Sequence, residues 1–168
     1  MSTNFIAPSS YVKAIAEAKT RRDEYEARES ALKKQSDDCS EFFRALGVSL
    51  SAEMNKANEG LRESSFKELF EGLFAARAPE HQMLISFGGS QNARDITLDL
   101  SDKNYPTIRI KDLNNSPTGS LQFVLKNVGK GMQAFVTEGG GTANWSIPLS
   151  VDQVAARVVE NVIDDLYR

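Results

Sequence analysis

Apolar positions along this chain change their period once, near Pro79. Ahead of that point, from Tyr11 to about Leu46, a charge-dense run contains neither proline nor glycine. Within it Tyr11, Ala18, Tyr25, Leu32, Cys39 and Leu46 recur every seven residues, the spacing of a helical seam. The second column a coiled coil needs is apolar only at Ile15 and Phe43 and carries Arg22, Glu29 and Ser36 between them, so the seam is half complete. Ser9 and Ser10, following Pro8, are N-cap candidates for this long helix. Gly47 reads as its end, and Ser49 or Ser51 as the cap of a shorter helix through Ala57. Ser65 and Glu68 match a capping box ahead of Phe66, Leu69, Phe70, Leu73 and Phe74, which predicts a third helix with a broad apolar face.

From His81 onward the period moves toward two. Met83, Ile85 and Phe87 share a face, as do Ile96, Leu98 and Leu100, then Ile108 and Ile110, then Leu121, Phe123 and Leu125. A fifth run covers Met132 to Thr137, and a short sixth passes through Trp145 and Ile147. The stretches between them, Gly88 to Asn92, Ser101 to Pro106, Asn114 to Ser120, Asn127 to Gly131 and Gly139 to Gly141, are rich in turn residues. Connections this short suit antiparallel neighbours, because a parallel crossover needs a dozen or more residues. Ser150 and Gln153 form a second capping box, and Val151, Val154, Val158, Val162 and Leu166 then fall along one side of a closing helix. The expected fold is α+β: N-terminal helices, one of them long, then an antiparallel sheet of five or six strands packed by a C-terminal helix. The expected division is a helical region at 1–79 and a meander with its closing helix at 80–168.

Composition narrows the function classes. The chain has 168 residues, 40% of them hydrophobic, and a formal charge of −3. Its acidic pI of about 5.3 and locally balanced charge argue against a generic polyanion-binding surface. Cys39 is the single cysteine, which removes intramolecular disulfides and cysteine-built metal sites and suits a reducing cytoplasm. Residues 1–10 lack the basic start and apolar run of a signal peptide. No apolar stretch approaches the roughly 18 residues of a membrane span, so the expectation is a cytoplasmic protein without a membrane partner.

No motif spells out a reaction. Gly129-Lys130-Gly131 lacks the rest of a phosphate loop and reads as a hairpin turn, and Gly139-Gly140-Gly141 sits between strands, away from any helix N-terminus. His81 is the only histidine, so multi-histidine metal sites are excluded and one candidate general base remains. A nucleophile pair of Cys39 and His81 competes with the plainer reading of Cys39 as a small buried thiol. Asp95 and Asp99 share a strand face and could bind a divalent metal, but Arg109 and Lys111 alternate in the same way on the next strand, and cross-strand ion pairing is favoured. No metal or cofactor is expected.

Three functional readings follow. The first is a non-enzymatic protein–protein interaction module, an adaptor, inhibitor or chaperone-like protein. It would bind a protein partner or a second copy of itself through the N-terminal helix, with Tyr25, Leu32, Phe42, Phe43 and Trp145 as contacts. The second is nucleic-acid binding by Arg94, Arg109, Lys111, Lys126 and Lys130 on one sheet face, disfavoured because acidic residues interrupt the face and no neighbouring aromatic is evident for base stacking. The third is an enzyme built on the aspartates or on His81.

Overall fold

The computed structural model describes residues 8–75, 81–88, 93–112, 121–138 and 142–167. The period change at Pro79, the turns centred near residues 90 and 117, and the triple glycine at 139–141 therefore lie outside the described residues. The chain divides into two compact units, Met1–Asp37 and Asp38–Arg168. The element order is α1 (Pro8–Glu63), β1 (Phe70–Ala75), β2 (Gln82–Phe87), β3 (Ala93–Asp99), β4 (Thr107–Asp112), β5 (Leu121–Asn127), β6 (Met132–Glu138), β7 (Thr142–Ala143) and α2 (Val151–Tyr167). The class is α+β, as the pattern predicts, with seven strands in place of five or six. They form one sheet in sequence order, each strand antiparallel to the next.

The first unit contains α1 up to Asp37 and no other described element. In the second unit, the rest of α1 turns Cys39, Phe42, Phe43, Leu46, Leu50 and Met54 into the core, at intervals of three and four residues. The inner face of the sheet meets them with Met83, Ile85 and Phe87, Ile96 and Leu98, Ile108 and Ile110, Phe123 and Leu125, and Ala134. Cross-strand register keeps these side chains on one face: Met83 lies opposite Ile96, Ile96 opposite Ile110, Ile108 opposite Phe123, and Leu125 opposite Ala134. Helix α2 completes the layer with Val154, Ala155, Val158, Val159 and Val162. Each valine buried this way contributes roughly 1.5–3 kcal/mol as an upper bound. Apolar packing, more than the ion pair of buried Arg94 with the exposed Asp165, therefore holds α2 in place, since desolvating Arg94 offsets much of that pair's attraction. The expected capping box is present: Gln153 N–H donates to the Ser150 hydroxyl, and Ser150 N–H to Gln153 Oε1. Ser49 on α1 adds a hydrogen bond of 2.6 Å to Asp152 in the first turn of α2.

The N-terminal third departs from the sequence reading. One continuous helix replaces the expected long helix and short second helix, because Gly47 is a point of close approach. A Cβ there would stand 2.9 Å from the sulfur of Met83 on β2, so the missing side chain lets helix and sheet come together. The helix begins at Pro8, a residue suited to a first turn, so Ser9 and Ser10 fall inside it. It ends where a third helix was expected to begin. Phe66 N–H donates to the Leu61 carbonyl and Ser65 N–H to the Arg62 carbonyl, with Ser65 at φ 66°. That is a Schellman stop with serine where glycine is usual. Asn58 then fixes the exit: its Oδ1 accepts the N–H groups of Leu69 and Phe70 at 3.1 and 3.0 Å, and its Nδ2 donates to the Phe70 carbonyl. The segment from Phe70 consequently becomes β1, with a bulge between Phe70 and Gly72. The expected sixth strand through Trp145 is instead a turn following the two-residue β7.

A left-handed conformation costs an L-residue about 1–2 kcal/mol, and glycine recovers part of that. Ser65→Gly should therefore stabilise the chain by about 0.5–1 kcal/mol, seen as a higher urea midpoint at unchanged slope. An unchanged or lower midpoint would show that the turn is not strained.

Candidate functional site

Two apolar features are left without a partner inside their own unit. The first is on α1 in the first unit. Every side chain from Tyr11 to Ala31 is exposed, with Tyr11, Val12, Ile15 and Tyr25 each more than half so, and Leu32 is half-buried. A unit made of one helix offers no second element against which that column can bury. Charged pairs run along the same segment, Arg21 with Glu17 at 3.7 Å and Arg22 with Glu26 at 3.7 Å. Of the six-member column, Cys39 and Leu46 are consumed by the core of the second unit. Phe42 and Phe43, expected as partner contacts, are corrected by the same observation: they are 5% and 3% exposed and pack the core.

The second feature is the outer face of the sheet. On β3, Asp95, Thr97 and Asp99 point away from the core. Arg109 and Lys111 do so on β4, Gln122, Val124 and Lys126 on β5, and Gln133, Phe135 and Thr137 on β6. Only Val124 and Phe135 in this set are buried, and the Trp145 ring lies 5.1 Å from that of Phe135. Trp145 remains 44% exposed; Tyr105, from the β3–β4 loop, approaches it at 6.1 Å, and the Lys126 ammonium sits 5.0 Å over its ring. A cleft of about 430 Å³ opens here, bounded by the aromatic pair and by Asp99, Arg109, Gln122, Thr137 and their neighbours.

The loop that carries Tyr105 is built by its own aspartates. Asp99 Oδ1 accepts from the Ser101 N–H and hydroxyl at 2.9 and 2.6 Å, and Asp102 Oδ1 accepts from the N–H groups of Asn104 and Tyr105. The two Ser101 bonds, with a smaller part from the Arg109 guanidinium 3.5 Å away, hold the Asp99 carboxyl below its ordinary range. Asp95 lies opposite Lys111 and accepts from Gln82. The aspartates thus serve cross-strand pairing and turn formation, and among the described residues no group of three metal-ligating side chains assembles.

Of the basic residues expected on one face, Arg109, Lys111 and Lys126 share the outer face, and Lys130 is exposed in the β5–β6 turn, where Gly129 and Gly131 take φ of 85° and 100°. Arg94 does not join them. It lies on the inner face, 5% exposed, 2.9 Å from Asp165 of α2 and over the Phe87 ring. Strand parity carried that information, since Arg94 alternates in step with Ile96 and Leu98. The expectation that no aromatic neighbours the basic residues is also overturned, by Trp145 beside Lys126. The pairing of Tyr105 with Trp145 leaves no sequence signal, because 40 residues separate them and no local spacing links the two.

A larger cleft, of about 560 Å³, is lined by Ser40, Phe43, Gly47, Leu73, His81 and Met83. The Ser40 hydroxyl and His81 Nε2 are 3.0 Å apart, which resembles a nucleophile and base. Ser40 nevertheless sits mid-helix, where its backbone N–H is committed to the helical ladder and cannot serve an oxyanion. Cys39 is fully buried, and desolvation, aided by Asp38, pushes its thiol up to about 11. A buried, protonated thiol is a packing group, so Cys39 does not act with His81 as a nucleophile pair.

No protein-family model, curated protein or solved structure matches this chain. The residues and their geometry are therefore the whole basis for a functional reading.

Because the folded Asp99 carboxyl is held below its unfolded value, its stabilisation is complete above the ordinary carboxylate range and lost as pH falls through the depressed folded value. Asp99→Asn should be less stable than the parent at neutral pH, by about 1 kcal/mol or less for an exposed pair. The two urea midpoints should converge on acidification. A constant difference across pH would remove the carboxylate from the account.

Proposed function

We propose that this chain is a non-enzymatic protein–protein interaction module that self-associates through the helical segment Pro8–Asp37. The observation that carries the reading is the unbroken exposure of residues 11–31, with Tyr11 and Tyr25 on one heptad column and Ile15 on the other, none finding a partner within its unit. Helices in proteins draw most of their stability from packing an apolar face, and this unit offers that face no second element.

A second copy of the same segment is the partner its charges favour. Residues 13–22 hold four basic residues (Lys13, Lys19, Arg21, Arg22) and one acidic (Glu17), while residues 23–32 hold four acidic (Asp23, Glu24, Glu26, Glu29) and one basic (Arg28). An antiparallel pair centred at the boundary sets the basic run of each copy against the acidic run of the other, whereas parallel in-register pairing opposes like charges. Exposed ion pairs contribute about 0–1 kcal/mol each. They select the orientation, and the apolar column supplies the affinity. The lone cysteine, buried as a thiol, fits a reducing cytoplasm as the setting.

Light scattering on the full chain should give twice the 18.5 kDa chain mass. The double variant Tyr25→Glu, Leu32→Glu should return a single-chain mass while the unfolding free energy of the dissociated chain changes by no more than about 0.5 kcal/mol. A full-length monomer at every concentration tried would refute self-association.

A further inference from the structure

The outer-face cleft is independent of the helical segment and has a chemistry of its own. Sheet faces left to solvent are normally polar throughout. This one carries Trp145 and Tyr105, 44% and 51% exposed, as a continuous aromatic wall. Below the wall stand groups that hydrogen-bond in pairs: the Asp99 carboxylate, the Arg109 guanidinium and the Gln122 amide. Among the described residues the Gln122 amide meets no side-chain partner. The Thr137 hydroxyl donates to the Gln122 carbonyl at 3.2 Å and keeps its oxygen free to accept. The cleft volume of about 430 Å³ falls within the roughly 300–1,000 Å³ of small-molecule sites.

We infer that this cleft binds a sugar ring of a neutral oligosaccharide. A pyranose presents an apolar C–H face to an aromatic ring and equatorial hydroxyls at its edge, each both donor and acceptor. The cleft offers the matching arrangement, an aromatic wall beside planar groups of both polarities. A phosphate-bearing ligand fits less well: Arg109 is already offset by Asp99 at 3.5 Å, and Asp102 adds a second negative charge at the rim. A wholly apolar ligand would strand Asp99, Arg109 and Gln122 without water.

Trp145 is the only tryptophan, so fluorescence excited at the red edge of the indole band, where tyrosine does not absorb, reports on this cleft. The full-length chain is titrated with maltohexaose, cellohexaose and chitohexaose, and separately with oligo(dT) and poly(U), and each mixture is also examined by saturation-transfer NMR. The inference predicts a saturable fluorescence change and saturation transfer with at least one hexasaccharide. Gln122→Ala and Arg109→Gln, both outside the core, should each weaken binding about tenfold. Thermal unfolding of each variant verifies its fold. Signals from the nucleic acids alone, binding indifferent to both substitutions, or no signal from any hexasaccharide up to its solubility limit would each overturn it. None of these results depends on whether the chain self-associates.

Discussion

An antiparallel meander alternates its side chains between two faces, and here the strands from β2 to β6 place most of their apolar members on the same one. That face cannot remain in water. The second unit answers with two helical stripes, Cys39 to Met54 from α1 and Val154 to Val162 from α2, laid over the inner face in one continuous core. Covering a single face fixes much else. Gly47 must lack a side chain so that α1 can close on Met83. Arg94, caught on the covered side, is met there by Asp165 at 2.9 Å and has the Phe87 ring under its guanidinium. The other face carries a lighter packing load, with Val124 and Phe135 its buried members in β3 to β6.

The passage from α1 to β1 shows how little local preference decides when tertiary contacts compete. Phe66, Leu69, Phe70, Leu73 and Phe74 recur at three and four, a spacing as good for a helix as any in the chain. Two long-range facts overrule it. Ser65 adopts a positive φ and stops α1, and the Asn58 amide, reaching back from the last turns of that helix, takes the N–H groups of Leu69 and Phe70 before any helix can use them. The strand then finds its partner in β2, where Leu73 lies opposite Ile85 and Ala75 opposite Met83.

Elements were legible where their evidence is local. Period-two runs bounded by turn residues located β2 through β6, and the Ser150–Gln153 box located the start of α2 to the residue. What was not legible depends on distance in space: the role of Gly47, the exit at Asn58 and the meeting of Tyr105 with Trp145 are set by residues far apart in sequence. Arg94 and the pair Phe42 and Phe43 belong to a different class. Strand parity with Ile96, and helical spacing with Cys39 and Leu46, already assign them to the interior.

The position of Trp145 follows from the same division of faces. A lone tryptophan near a closing helix would ordinarily slip beneath it, but the inner layer is already filled by the valines of α2 and the aromatic and branched side chains of the sheet. β7 is only two residues long, and the chain leaving it turns across the outer face, where Asn144 N–H donates to the Val136 carbonyl and Leu149 pairs with Ala134. Between those two anchors the indole comes down on Phe135, shielding a large apolar ring that alternation leaves on the outer face. Packing of that single ring accounts for one edge of Trp145. It does not account for the exposed remainder, for Tyr105 held beside it by an aspartate-built loop, or for an amide at Gln122 without a side-chain partner among the described residues. An exposed aromatic surface costs free energy in water, and a fold that supports it with three separate elements is better explained by a ligand that covers it than by the needs of the core.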